Sequence, residues 1–263
     1  MIRFVKNMME ADKLNVLAEK RNGQAFEKLA AAEMKIAGQY SKTLMALEKL
    51  SNRKKGILRT SIYDFIEVYE KIMRIDFVES DGIKQLDLKT VVPENFKANG
   101  LDLYLENKEL STEQILSAFI VKGGVSGVIA KEAELNARLA SIRNSTADVV
   151  LSQADTICVA LEGIETRAHK ISDLLAKLNI LFRKTTDTTS AIISEKGISR
   201  LNYTKLDKEK LMTCINAAST IKKILDTPLI DTKGRITEES IEAIRVGNDH
   251  LEQLSMNIGE NNI

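Results

Sequence analysis

One long proline-free stretch with a regular apolar repeat constrains this chain most. From Lys131 to Lys196 there is no proline and a single glycine, Gly163. Two rows of mostly apolar residues recur at seven-residue steps, and the rows lie four residues apart, as in helices that pack in bundles or coiled coils. The first row is Val150, Ile157, Ile164, Ile171, Leu178 and Ile192, interrupted by Thr185, and the second is Ala133, Ala140, Ala147, Ala154, Leu161, Ala168, Leu175 and Phe182.

This pattern predicts one very long helix. An unbroken helix of this length extends about 100 Å, because each residue adds about 1.5 Å. The sequence therefore predicts either an elongated molecule or a break in the helix, and the polar run from Lys184 to Ser190 is the expected place for such a break.

The N-terminal part also has helical periodicity. Apolar residues that include Phe26, Ile36 and Leu47 recur at three- and four-residue steps or their sums, which predicts a helix from Met8 to Leu50. A second helix is predicted from Asn52 to Ile75, returning antiparallel to the first across the basic, glycine-containing stretch 51–56. Residues 1–78 are thus predicted to form an N-terminal helical hairpin.

The remaining chain divides into a connection and a C-terminal helical part. Residues 79–110 contain Pro93, one of only two prolines, and two aspartate- or asparagine-glycine pairs, which predict an irregular connection with short strands near 86–92 and 101–105. Residues 111–263 are predicted to hold the long helix and the C-terminal helices of the same bundle. Gly197 is expected to end the long helix, a further helix is expected over 206–226, and Thr237 is expected to cap the last one.

Together these patterns predict an all-α fold. The expected architecture is an elongated antiparallel helical bundle with one very long helix and a short irregular or β-containing connection.

The most unusual segment is residues 115–130, with the sequence ILSAFIVKGGVSGVIA. It carries one charge, Lys122, and three glycines. It is shorter than the roughly 20 residues that a membrane-spanning helix needs. One interpretation is a buried helix followed by a glycine turn, and the other is a hairpin tip that contacts a membrane or a partner. The candidate contact residues are Phe119, Ile120, Val121, Gly123, Gly124, Val125, Gly127, Val128 and Ile129.

No motif in the sequence predicts catalytic, cofactor-binding or metal-binding residues. Cys158 and Cys214 lie in apolar surroundings without metal-ligand spacing, which favours buried, inert thiols in a reducing, cytoplasmic setting. His169 and His250 are far apart in sequence. The run 231–236 resembles the middle of a calcium-binding loop but lacks both end ligands, which favours a polar turn. The chain is therefore predicted not to be an enzyme.

Charge balance argues against nucleic acid as a partner. The chain has 38 Lys and Arg residues against 37 Asp and Glu residues, a net charge of +1. Proteins that bind a phosphate backbone usually carry a basic excess. The basic cluster of Arg53, Lys54, Lys55 and Arg59 is instead interpreted as a solvated helix end or an interhelical turn.

The C-terminal half resembles a loosely defined group of uncharacterised bacterial long-helix proteins. The residues that carry this resemblance are LLAKLNILFRKTTDTTSAIISEKG, over 174–197, and LDKEKLMTCINAASTIKKILDTPLIDTKGRITEES, over 206–240. Members of that group often have a longer glycine- and alanine-rich apolar segment before the long helix, where this chain has GGVSGVIA. The layout is also similar to α-helical pore-forming proteins of the cytolysin A type, a likeness of architecture alone.

The expected function is that of a non-enzymatic helical bundle that acts through interfaces. Residues 118–130 are expected to engage a membrane or a hydrophobic partner, in a pore-forming-like manner, after rearrangement of the bundle. The alternative is a soluble coiled-coil scaffold or adaptor, in which the seam from Val150 to Ile192 binds another helix or a second copy. The expected location is the cytoplasm, with membrane association in the first case.

Overall fold

A computed structural model of the chain describes residues 2–78, 81–83, 140–231 and 235–260, with side chains for 19–78, 81–83, 147–231 and 235–256. These residues form an all-α bundle, which confirms the predicted fold class. The predicted strands near 86–92 and 101–105 lie outside the described residues. The helices are α1 (Ile2–Ile57), a π-helical segment (Leu58–Ile62), α2 (Tyr63–Met73), α3 (Ala140–Lys196), a 3-10 turn (Arg200–Asn202), α4 (Lys205–Asp226) and α5 (Glu238–Glu260).

The predicted N-terminal hairpin is wrong. Residues 51–56 belong to α1, which passes into α2 through the π-helical segment without reversing direction. Gly56 costs up to about 1 kcal/mol of helix propensity relative to alanine. That cost is small beside the burial of Ile57 and Leu58, which are each 4% exposed, and packing therefore overrides the local turn signal.

Helices α1 and α3 run parallel, whereas the sequence predicted antiparallel packing of these helices. The Nζ atoms of Lys28 and Lys35 lie 2.6 and 2.7 Å from carboxylate oxygens of Asp148 and Asp155. A step of seven residues forward along α1 therefore matches a step of seven residues forward along α3, so the two helices run in the same direction. Further toward the C-terminal ends of α1 and α3, the Nε atom of Arg53 donates a hydrogen bond to Ser172 Oγ, which also fits parallel helices. Periodicity reports which face of a helix is buried but carries no information on chain direction.

The chain divides into two compact units. The described residues of the first unit are 2–45 and 140–165, and those of the second are 46–78, 81–83, 166–231 and 235–260. In the second unit α4 packs antiparallel to α3: the Thr186 hydroxyl lies 3.7 Å from Cys214 Sγ, while Leu174 and Ile224 both face Gly247 of α5. The large buried side chains of this unit include Phe65, Leu175, Phe182 and Leu211.

Helix α3 is continuous through the polar run 184–190, so the break considered there does not occur. Three of the four threonine hydroxyls in this run bond to carbonyls of the helix itself. Thr185 and Thr186 both donate to the carbonyl of Phe182 at 2.8 Å, and Thr188 donates to the carbonyl of Lys184 at 2.8 Å. Backbone carbonyls one turn earlier thus satisfy hydroxyls that the sequence shows only as polar residues.

The helix ends follow the predicted signals. Gly197 has φ +71°, and its N–H donates to the Ile193 carbonyl at 2.9 Å, so it ends α3 as a left-handed cap. Thr237 Oγ1 accepts from the backbone of Ser240 at 3.1 Å, which caps α5 above the acidic first turn. A capping box between Thr204 and Asp207 begins α4.

Candidate functional site

The candidate contact residues fall outside the described part of the chain. Described structure stops at residue 83 and resumes at Ala140. The prediction for residues 118–130 therefore stays a prediction. The other sequence features can be placed, and they determine which surfaces remain for a function.

The two heptad rows of α3 are buried within this chain. Every row member from Ala147 to Phe182 is at most 7% exposed, and the polar interruption Thr185 is 8% exposed. Only Ile192, at the end of its row, is intermediate. In the first unit the rows face α1, because the Thr43 hydroxyl, itself buried, donates to the Leu161 carbonyl at 3.2 Å. The seam is therefore an internal contact surface.

Polar and charged groups fix the register of α1 on α3 in the first unit. Gln39 Nε2 donates to Glu165 Oε2 at 2.7 Å, and Gln39 is 8% exposed. The hydrogen bond with the Asp155 carboxylate is the main cause that raises the pKa of Lys35. A polar group at a core position restricts the registers in which two helices can pair, because any shift leaves it without a partner.

The basic run near residue 55 has structural partners. Lys54 Nζ donates to the carbonyls of Leu225 and Thr227, at 3.0 and 2.9 Å, and thereby satisfies the C-terminal end of α4. Arg53 Nε donates to the hydroxyl of Ser172, which is 1% exposed. The interpretation as an interhelical turn is wrong, because the helical run continues from α1 into the π-helical segment, and Arg53 and Lys54 tie it to its neighbours.

Both cysteines are free and buried, as predicted. Burial is the main cause that raises the pKa of each thiol, and nearby charges and threonine hydroxyls make smaller contributions. A raised pKa keeps Cys158 and Cys214 in the unreactive thiol form. Within the described ranges no group of three or more His, Cys, Asp or Glu residues is arranged to hold a metal ion.

The calcium-loop-like run is a polar turn at its described ends. Asp231 uses both carboxylate oxygens on Arg235, accepting from its backbone N–H and from its guanidinium at 2.9 Å. Ile230 and Ile236 form an isolated antiparallel bridge beside this pair. The carboxylate that would act as a cation ligand is thus occupied by an arginine.

Exposed apolar side chains on α1 and in the turn after α3 were not predicted. On α1, Phe26, Met34 and Met45 are 74, 72 and 66% exposed, although periodicity had assigned Phe26 to the buried face. In the turn after α3, Ile198 and Leu201 are 68 and 84% exposed.

The turn that carries Leu201 is tightly anchored. Asp76 Oδ1 accepts from the Arg200 N–H at 2.5 Å, and the Tyr203 hydroxyl donates to the Gly197 carbonyl at 2.6 Å. The Tyr203 ring contacts Phe77 edge-on, with 5.4 Å between centroids. Leu201 therefore projects from a fixed backbone, which makes it a suitable reference position for surface substitutions.

Comparison with protein-family models, with curated proteins and with solved structures finds no match to this chain. The likeness to cytolysin A type proteins therefore stays a prediction. Among the described helices, none combines the length and the apolarity that crossing a bilayer requires.

Proposed function

We propose that this chain is a non-enzymatic helical bundle whose segment 118–130 engages a membrane surface, in a pore-forming-like manner. The observation that carries the proposal is the segment's composition: from Ile115 to Ala130 it holds one charge, Lys122, among apolar residues and glycines. Large contiguous apolar surfaces in a protein usually mark interaction sites.

Burial of the α3 seam supports this choice of surface. A coiled-coil scaffold would use the rows from Val150 to Ile192 to bind another helix or a second copy. Most of that surface is already covered within the chain, since Leu161, Leu175 and Phe182 are fully buried. The apolar segment then becomes the stronger candidate for external contact.

The segment is too short for one spanning helix, which needs about 20 residues. We infer shallow insertion of the apolar side chains Phe119, Ile120 and Val121 into the interfacial layer. Gly123 and Gly127, four residues apart, would permit close approach of helices once the segment is inserted. Rearrangement of the bundle would expose the segment. The proposed location is the reducing cytoplasm with peripheral membrane association, which the two free thiols support.

Vesicle flotation tests the proposal directly. The full chain is mixed with phosphatidylcholine vesicles, with and without phosphatidylglycerol, and compared with an Ile120→Asp/Val125→Asp variant. We expect at least about tenfold weaker binding by the variant, since interfacial binding scales with the apolar area inserted, and the variant replaces two apolar side chains by anionic ones. The control, Leu201→Asp, changes an exposed apolar residue of the anchored turn and should bind like the unsubstituted chain. Absence of flotation of the full chain, or an equal loss in both variants, would contradict the proposal.

The exposed methionines of α1 favour a second candidate, a soluble scaffold or adaptor. Methionine side chains adapt to different partner surfaces, and Met34 and Met45 are mostly exposed. Light scattering of the full chain distinguishes the candidates without a membrane. A homo-oligomer that a Met34→Asp/Met45→Asp variant dissociates would support the scaffold, and a monomer would favour the membrane role.

A further inference from the structure

The contact between α1 and α3 in the first unit combines alanines with aliphatic side chains, and no aromatic residue is buried in its described part. We call the contact between residues 25–43 and 147–165 the alanine seam. Its buried residues include Ala25 and Ala32 on α1 and Ala147 and Ala154 on α3. Larger aliphatic residues are buried between the alanines: Ile36, Val150, Ile157, Leu161 and Ile164. An alanine removes far less apolar surface from water than a leucine or phenylalanine does, so the alanine layers contribute less to stability than layers of larger residues do.

Polar contacts also cross the alanine seam. The Lys28–Asp148 and Lys35–Asp155 pairs are solvent-exposed, with side-chain exposures of 31% and 56% in the first pair and 53% and 55% in the second. Exposed ion pairs contribute weakly, and salt screens them. The hydrogen bond from Gln39 to Glu165 adds a further polar contact.

The second unit is built differently. There α2 and α3 meet through Phe65 and Phe182, whose ring centroids are 5.5 Å apart, and both residues are fully buried. Helices α4 and α5 add further covered surface, with Leu211 and Leu254 in the core. The free energy of local opening should differ strongly between such regions of one chain.

We propose that the alanine seam is a salt-sensitive latch that opens while the second unit stays folded. Opening would release α1 from α3 and expose the buried row members Val150, Ile157 and Ile164 as a new apolar surface. This inference does not rest on the membrane role, because opening can be measured in the free protein.

The two native cysteines report on the two units separately. Cys158 is 3% exposed and lies on α3 beside the Lys35–Asp155 pair, within the alanine seam. Cys214 is fully buried in α4, in the second unit. Neither thiol can react with an alkylating reagent until its surroundings open. No substitution is needed to install these probes.

The experiment is pulsed alkylation of the full chain with iodoacetamide, read by peptide mass spectrometry. Each rate is normalised to the rate of the same cysteine in the denatured chain, which removes differences in intrinsic reactivity. We expect Cys158 to react at least about tenfold faster than Cys214. Raising the salt concentration should accelerate Cys158 and leave Cys214 unchanged. Equal rates with equal denaturant dependence would overturn the proposal, since the seam would then open only on global unfolding.

Charge variants identify the contacts that hold the latch. Lys28→Ala/Lys35→Ala should raise the normalised Cys158 rate about 2- to 30-fold, as expected for two exposed ion pairs. The charge exchange Lys35→Asp/Asp155→Lys restores an ion pair at this position, so its normalised Cys158 rate should lie closer to that of the unsubstituted chain. Arg245→Ala, which removes an exposed pair within α5, is the matched control and should leave it unchanged. An unaltered Cys158 rate in the double variant contradicts the latch. If that variant unfolds, Cys214 will also be labelled fast. The test of the latch is then the salt dependence of Cys158 labelling in the unsubstituted chain.

Discussion

At the scale of single residues, Gly247 shows how a helix interior can require glycine without a special backbone angle. It lies in α5 where α3 and α4 approach, and a Cβ atom placed there would lie 2.6 Å from Leu174 Cδ2 and 2.9 Å from Ile224 Cδ1. Both of those side chains are buried. The glycine therefore serves close packing among three helices.

Gly247→Ala should destabilise the protein although alanine is the better helix former. Alanine gains about 1 kcal/mol of helix propensity, whereas overpacking a buried contact costs about 1–3 kcal/mol. Gly38→Ala is the matched control, because a Cβ atom added to this glycine of α1 would have no other side chain within 4 Å. Urea denaturation should show a lower free energy of unfolding for the first variant and a higher one for the second. The same sign for both would contradict the packing argument.

His250 carries a buried ring nitrogen, Nε2, without a hydrogen-bond partner. Burial lowers the pKa of this histidine below its ordinary value of 6.5. As the pH falls through that value, the unfolded chain takes up a proton before the folded chain does. The contribution of neutral His250 to the free energy of unfolding is therefore fully present above about pH 6.5, and it is lost as the pH falls toward the folded-state pKa.

We expect the free energy of unfolding to decrease between about pH 7.5 and about pH 5.5, the interval that brackets an ordinary histidine pKa. A His250→Leu variant removes this titration and should show a smaller decrease over the same interval. Chemical denaturation at several pH values measures both slopes. An unchanged slope in the variant would show that other groups cause the pH dependence.

At the scale of elements, the π-helical segment resets the register of the N-terminal helical run. Before it, the buried face follows one row at 39 and 46, with half-buried 53 next, and a second row at 43, 50 and 57. After it, the rows continue at 61, 68 and 75 and at 65 and 72. Each row therefore resumes one residue later than a seven-residue step would place it. A π-turn accommodates one extra residue in an α-helix, so the segment keeps the apolar face directed at the core.

Deletion of Thr60, an exposed residue of this segment, should convert the π-turn to α-helix and bring both rows into one register. The fold should survive with little change in stability. Deletion of Glu67, exposed in α2, should instead turn Val68 and Ile72 off the buried face, at a cost of about 1.5–3 kcal/mol for each. Urea denaturation followed by circular dichroism compares the two variants. Equal destabilisation would contradict this interpretation of the segment.

The sequence identified those elements whose signals are local. The heptad rows of α3, the stop at Gly197 and the cap at Thr237 depend on residue spacing and side-chain chemistry within a few turns, and the structure confirms them. The hairpin was wrong because a glycine in a basic run looks like a turn until the contacts of Lys54 with α4 are known. Helix direction was wrong because amphipathic spacing is identical in both directions. The candidate segment 118–130 lies outside the described residues.

At the scale of the whole molecule, the buried rows of α3 make the seam a determinant of folding rather than of association. Leu175 is fully buried, while Leu201 is 84% exposed on the anchored turn. Leu175→Ala should lower the free energy of unfolding by about 2–5 kcal/mol, and Leu201→Ala should change it by less than about 0.5 kcal/mol.

The concentration dependence of unfolding separates an internal seam from a shared one. Folding that requires a second copy has a midpoint that rises with protein concentration. We expect the thermal unfolding midpoint to be independent of protein concentration for the full chain and for Leu175→Ala. A midpoint that rises with concentration would indicate that the seam is completed by another chain.

The central claim is that external contact is made by segment 118–130 while the seam stays internal. Hydrogen exchange of the full chain, with and without phosphatidylcholine–phosphatidylglycerol vesicles, tests it most directly. We expect slower exchange in peptides covering residues 118–130 when vesicles are present, with the second-unit part of α3, residues 166–196, unchanged. Unaltered exchange in 118–130, or new protection confined to other segments, would contradict it.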